Sequence, residues 1–393
     1  MKVKTALCFA FAGTIILAAC KKNDATVANP QDTQLRLNQV QVIGSHNSYH
    51  KRDTLPIFDW LVSITGLLPA SYNPRELDYS HLPFDQQFDH YPVRGLEIDI
   101  YNDPQGGAFY YRHVNRYAGF DEESYIPALK QPGFKVLHIK DVDYNSTYNT
   151  FVEALQAVKD WSDKHPNHLP LFINIESKQD GPADNSQLSG FGFIPAPAWT
   201  ADAADKLDEE IMSVFGANLD KVLTPDRLRG QYSTLHDMVT HHAWPKLGDC
   251  RGKVVFAMEG NCVPFYKNGH PSLKGRACFV YADPGTDEGA FLLMNDAVGQ
   301  KDSITARVRD GYIVRTRSDA GTIEARAGDY SAMNAGFASG ANIISTDYYR
   351  ADPRGDSAGS GWTNFHVSFP NGELARKNPV SADTVSVDES LKE

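Results

Sequence analysis

Eight short apolar runs, rich in β-branched residues and separated by polar or helix-patterned stretches, constrain this chain more than any other feature. They fall at residues 40–46, 95–101, 134–140, 169–176, 253–259, 277–282, 311–316 and 341–347. Helical spacing appears between several of them: over 148–164, where Phe151, Ala154, Leu155, Val158 and Trp161 share a face, and over 203–215, 302–310 and 329–339. Strand and helix alternating around eight runs predict an α/β fold, a distorted TIM-type (β/α)8 barrel whose reacting groups sit at the C-terminal ends of the strands. The competing architecture is an open doubly wound sheet, which lacks its usual Gly-rich phosphate loop here.

A length of 393 residues, 41% hydrophobic and 22% charged, suits one large globular domain, placed at 38–380. Residues 1–19 read as a signal peptide, with Lys2 and Lys4 ahead of an apolar stretch. Leu17-Ala18-Ala19-Cys20 resembles a bacterial lipobox, which implies lipidation at Cys20, a flexible tether over 20–37, and an exported lipoprotein anchored to the cell envelope. A plain secretory signal with a coincidental Cys20 is the alternative. Two intervals are long for simple connections, 49–91 and 179–253. The first, with Trp60, Tyr72, Tyr79, Phe84 and Phe88, either roofs the site or packs on the barrel; residues 177–200 read as another loop of the reacting face. The tail, 381–393, reads as disordered.

Loss of the leader takes the formal charge from −11 to −13, which argues against nucleic acid as a partner. An anionic substrate would then need local cations. In an oxidising compartment Cys250 and Cys262, 12 residues apart, are the expected disulfide, with Cys278 left over. No cysteine or histidine spacing reads as zinc.

The chemistry concentrates at the ends of the runs. Glu97 and Asp99, in Gly95-Leu96-Glu97-Ile98-Asp99-Ile100, lie two apart and so share one face of a strand. Two apolar-flanked carboxylates side by side are costly without a cation or a shared proton, and an oxygen-only donor set favours a hard ion such as Ca2+ or Mg2+. Other runs end in His46 and Asn47, His138 and Lys140, Asn174 and Glu176, Arg315 and Arg317, and Asp347. Each has a bland reading alone; their shared position at strand ends is the signal.

Gly44-Ser45-His46-Asn47-Ser48, Leu96-Glu97-Ile98-Asp99, Lys135-Val136-Leu137-His138-Ile139-Lys140-Asp141-Val142-Asp143, Phe172-Ile173-Asn174-Ile175-Glu176-Ser177-Lys178 and Ile313-Val314-Arg315-Thr316-Arg317-Ser318-Asp319, in this order, resemble the Ca2+-dependent bacterial phosphoinositide-specific phospholipase C family, from about residue 38 to Pro379. The resemblance implies Asn47, Glu97, Asp99 and Glu176 as calcium ligands. It implies His46 as the group bonded to the phosphoryl oxygens and His138 as general acid, with His113 the alternate. Lys140, Lys178, Arg315 and Arg317 become phosphate or inositol contacts. The implied reaction is phosphotransfer to the substrate's own hydroxyl, giving diacylglycerol and a cyclic inositol phosphate, by a monomer acting at a membrane. Two other readings stay open: a phosphodiesterase for glycerophosphodiesters or another phospholipid headgroup, and a non-catalytic lipid- or glycan-binding lipoprotein.

Overall fold

The computed structural model describes residues 29–68, 72–355 and 357–393; the leader-like segment and Cys20 lie outside them. Eight parallel strands form the barrel wall: β1 (Val40–Ser45), β2 (Val93–Tyr101), β4 (Leu171–Lys178), β5 (Val254–Gly260), β6 (Phe279–Val280), β7 (Phe291–Asp296), β8 (Ile313–Arg317) and β9 (Ile343–Thr346). Their order is β6-β5-β4-β2-β1-β9-β8-β7. The ring nearly closes through a single parallel bridge, Tyr281 to Phe291. Wall strands are buried along most of their length, because helices cover their outer face. The helix Phe151–Lys164 shows why: a Thr150/Glu153 capping box starts it, and Phe151, Ala154, Leu155, Val158 and Trp161 form its buried stripe. Helices Ala201–Phe215, Lys301–Arg309 and Ser331–Ser339 occupy the other predicted positions.

Seven of the eight predicted runs are wall strands. The run at 134–140 is not: only Lys135–Val136 is extended (β3), pairing antiparallel with the end of β2. The eighth place belongs to β7, whose Phe291-Leu292-Leu293-Met294 carries no β-branched residue and so lacked the composition of the other runs. At the barrel waist Gly44 pairs with Gly95, and a Cβ on Gly95 would stand 3.0 Å from Gly44 Cα; the two strands approach this closely only without side chains.

The tail expected to be disordered is folded. Strand β10 (Ala375–Lys377) pairs antiparallel with β1, and β11 (Ser390–Leu391) with β10. Leu391 is buried, and the Glu393 carboxylate takes two 2.6 Å bonds from Arg94 and one of 2.7 Å from the Leu169 amide. The polar composition of 381–393 concealed these few anchors. The Cys250–Cys262 disulfide is also overturned: Cys250, Cys262 and Cys278 are free and buried. Cys250 precedes β5 and Cys262 follows it, so seven extended residues hold them roughly 20 Å apart, beyond disulfide reach. No described helix is long and apolar enough to cross a membrane.

Arg94 is almost wholly buried, so removing its carboxylate partner leaves a guanidinium without charge compensation. Glu393→Ala is expected to cost about 2 kcal/mol in urea unfolding. An unchanged midpoint would mean that the tail merely lies on the surface.

Candidate active site

Parallel register sets the site. Across β2, β4 and β5, Asp99, Glu176 and Glu259 are register partners at one level, with Glu97 and Asn174 paired two residues below. Because residues two apart share a face, all five point the same way. Beyond β1 the chain turns sharply: Asn47 adopts φ 43°, the Ser48 amide donates to Glu97 O (2.9 Å), and Ser48 Oγ accepts from the Glu97 amide (2.8 Å). This turn brings His46 and Asn47 over the end of β2.

Glu97, Asp99 and Glu176 offer carboxylate oxygens within 4.8 Å of one another. Burial raises the Glu97 pKa, but the Arg315 guanidinium bonded to it outweighs that and keeps it below the usual range. Asp99 goes the other way. Burial pushes its pKa far up and neighbouring Glu176 and Glu97 add to the rise, against the pull of Lys178. Lys178 Nζ lies 3.2 Å from Asp99 Oδ2 and 3.4 Å from Glu176 Oε1, yet neither Asp99 oxygen accepts a directed hydrogen bond. Asn47 Oδ1, also buried, has no donor either. Three carboxylates on two strands thus converge, and both Asp99 oxygens, with Asn47 Oδ1 on the turn after β1, are buried without a donor. Such hard, all-oxygen donors suit Ca2+.

Two histidines flank this cluster, each fixed by an aspartate. His46 Nδ1 gives its proton to Asp347 (2.8 Å) while Arg317 Nη1 donates to His46 Nε2 (3.1 Å); Arg317 Nη2 also reaches Asp347 (3.1 Å). His46 Nε2 stands 3.7 Å from Glu97. His138 Nδ1 bonds Asp143 Oδ2 (2.6 Å), and buried His50 bonds the same carboxylate at 2.9 and 3.0 Å. Burial would raise the Asp143 pKa, but the two imidazoles hold it well below the carboxylate range; burial, with Lys178 nearby, lowers that of His138. His138, Glu176 and Lys178 line one cavity of about 430 Å3. Its other wall is apolar, with Leu61, Ile64 and Leu68 from the 49–91 interval and Leu188 and Phe193 from the loop after β4. The long first interval therefore roofs the site.

Not every expected residue arrives there. Lys140 is buried and paired with Asp141 (2.9 Å), away from the cavity, because β3 is no wall strand and the chain turns aside at Asp141, φ 70°. Arg315 is sealed between Glu97, Ser345 and Glu259, so it serves as counter-charge and not as a substrate contact. His113 bonds Glu122 at 2.6 Å and does not line the cavity. Glu259 went unnoticed in the sequence although Val254-Val255-Phe256-Ala257-Met258-Glu259 ends in a carboxylate just as Phe172–Glu176 does. Burial, with Glu97 and Glu176 adding to it, raises its pKa to about 7. His50 and Tyr79 carried no local signal, since their partners come from distant segments, and Asp143 meets His138, five residues back, only through the turn at Asp141.

His81, in the roof, donates from Nε2 to His46 O (2.8 Å), and burial lowers its pKa from 6.5 to about 3. Between those values the unfolded chain holds a proton that the folded protein refuses, so this group's contribution to stability falls on acidification. The expected slope approaches about 1.4 kcal/mol per pH unit below 6.5. The stability gap between wild type and His81→Gln should shrink by about 2 kcal/mol in total in urea unfolding from pH 7 to 5; a constant gap would contradict it.

A sequence profile for the family described as phosphoinositide phospholipase C, Ca2+-dependent, matches residues 35–379, the whole barrel with its closing strand β10. Among solved structures, the calcium-dependent phosphoinositol-specific phospholipase C of a Gram-negative Pseudomonas, as its myoinositol complex, is 17% identical over 89% of this chain and 97% of that one, with a TM-score of 0.51. A second crystal form of that enzyme is 17% identical over 84% and 96%, with a TM-score of 0.50. At such identity these two speak for the fold alone. No curated protein matches the chain by sequence. With a match running through β1, the carboxylate-bearing strands and β10, the chain belongs to the Ca2+-dependent phosphoinositide phospholipase C family and is a phosphodiesterase.

Proposed function

We propose that this enzyme cleaves phosphatidylinositol, or a close relative, by transfer of the phosphoryl group to the inositol 2-hydroxyl, releasing diacylglycerol and a cyclic inositol phosphate. One observation carries the reading: an imidazole held by an aspartate and Glu176, the outermost carboxylate of the acidic cluster, face a single cavity whose opposite wall is apolar. An amphiphilic diester meets both walls at once, whereas a small water-soluble diester would leave the apolar one unused.

Asn47, Glu97, Asp99 and Glu176 are the residues that would hold Ca2+. The chemistry the ion supplies is a polarised phosphoryl group and a lower pKa for the attacking hydroxyl. Glu176, free of any guanidinium and facing the cavity, takes the hydroxyl proton. Arg317, fixed on Asp347, donates hydrogen bonds to the phosphoryl oxygens as negative charge grows; His46 does so in its doubly protonated form, with Arg317 Nη1 moved off its Nε2. His138 gives a proton to the departing glycerol oxygen, and Asp143 sets the tautomer that allows it. Burial lowers the proton affinity of His138, and an anionic diester beside it restores it. The nucleophile belongs to the substrate, so no serine or cysteine nucleophile is required.

The test is turnover of phosphatidylinositol in excess EGTA and then in Ca2+, with products followed by phosphorus NMR. A cyclic phosphate that forms only with Ca2+ is expected; an acyclic product formed at once would point to water as nucleophile and to a glycerophosphodiesterase. His138→Ala should lose roughly 10²–10⁴ in kcat. A nitrophenyl inositol phosphodiester, whose leaving group needs no proton, should recover most of that loss in His138→Ala and little of the loss in His46→Ala. Equal recovery in both variants would remove His138 from the acid role.

A further inference from the structure

We infer that Tyr79, in the roof, is a positioning residue for the cation site: its hydroxyl takes the hydrogen bond of Asn47 Nδ2 and so leaves Oδ1, buried and without a donor, free for a cation. The inference rests on the reading of Asn47 as a ligand.

Asn47 is buried at the left-handed turn after β1, and its amide has two ends of nearly equal size and opposite polarity. Its Nδ2 donates to Tyr79 Oη at 2.9 Å, while Oδ1 points the other way and meets no donor. Rotated by half a turn, the amide would put Nδ2 where Oδ1 now stands, and an N–H pair cannot ligate a cation. Because a phenol can also donate, Tyr79 does not forbid that rotation; it gives Nδ2 a buried acceptor, so the orientation that leaves Oδ1 free for a cation strands no N–H end.

Tyr79 is built to hold that place. It is 4% exposed, its ring packs at a tilt against His50 at 4.4 Å, and it meets His81 edge-on at 5.3 Å. The residue before it, Asp78, takes ion pairs from Arg52 (2.6 Å), Arg326 (2.9 Å) and Arg354 (2.8 Å), three arginines from three separate segments. Two residues after it, His81 grips His46 O. The short stretch 78–81 thus ties down both members of the His46-Asn47 pair, and its own anchor lies on the Arg cluster at the rim.

The test is calcium binding by titration calorimetry on the whole protein, with melting temperature in EGTA as the control for folding. Tyr79→Phe keeps the ring packing and removes the acceptor. It should weaken Ca2+ binding on the order of tenfold or more while leaving the metal-free melting temperature within a few degrees of wild type. In an Asn47→Asp background the same substitution should cost much less, because a carboxylate has no wrong way round. That second comparison also decides the case if Tyr79→Phe lowers the melting temperature, since a packing defect would weaken binding equally in both backgrounds. Wild-type affinity in Tyr79→Phe, alongside lost affinity in Asn47→Ala, would overturn the inference and leave the ligand reading intact. Wild-type affinity in Asn47→Ala would overturn the ligand reading and this inference with it.

Discussion

Asp99 has no exposed surface, no hydrogen bond to either oxygen, and carboxylates at its sides, and much of the architecture of this end of the barrel answers that charge. A buried anion is tolerated only when something compensates it. Lys178 does so in part, from the neighbouring strand two residues beyond Glu176. Arg315 does the same for Glu97 from the far side of the barrel. A small hard cation would meet the remaining deficit, and the proposed metal site would then be a consequence of strand register and burial together. A one-residue slip of β4 against β2 would turn Asn174, Glu176 and Lys178 to the outer face, and the cluster would disappear.

The histidines follow a common plan. Each has one nitrogen fixed by an aspartate that is itself held low in pKa by its cationic or imidazole neighbours: Asp347 at the end of β9 for His46, and Asp143 in the loop after β3 for His138. Orientation is thereby settled before substrate arrives, and the ordering cost falls on folding, not on binding. The roof completes the arrangement from above. Its helix Leu55–Ser63 and the residues after it supply apolar wall, while its end, 78–81, grips the turn that carries His46 and Asn47.

How much of this the sequence disclosed depends on the range of each interaction. Glu97 and Asp99 were legible because alternation along a strand is a local rule, and Glu176 because it ends an apolar run. The barrel itself was legible from alternation over the whole chain, apart from β7, whose apolar residues are not β-branched, and β3, which has the composition of a wall strand without its place. Lys140 and Arg315 were misread for one reason: a charge at a strand end looks alike whether it meets substrate or a carboxylate, and only the fold supplies Asp141 to one and Glu97 to the other. His50, Asp143 and Tyr79 could not be found, since each acts through a partner more than thirty positions away or across a turn with positive φ. The tail's order rests on a few anchors that polar composition does not reveal: the pairing of β11 with β10, buried Leu391 and the three bonds to Glu393.

The central claim is that unsatisfied oxygens on β2, β4 and the turn after β1 form a calcium site. The most direct measurement is anomalous diffraction from crystals grown with Ca2+. A single peak is expected, with Asn47 Oδ1 and oxygens of Glu97, Asp99 and Glu176 about 2.3–2.6 Å away and Lys178 withdrawn from Asp99. A map with no peak there at millimolar Ca2+, and Lys178 still bridging Asp99 and Glu176, would contradict the account.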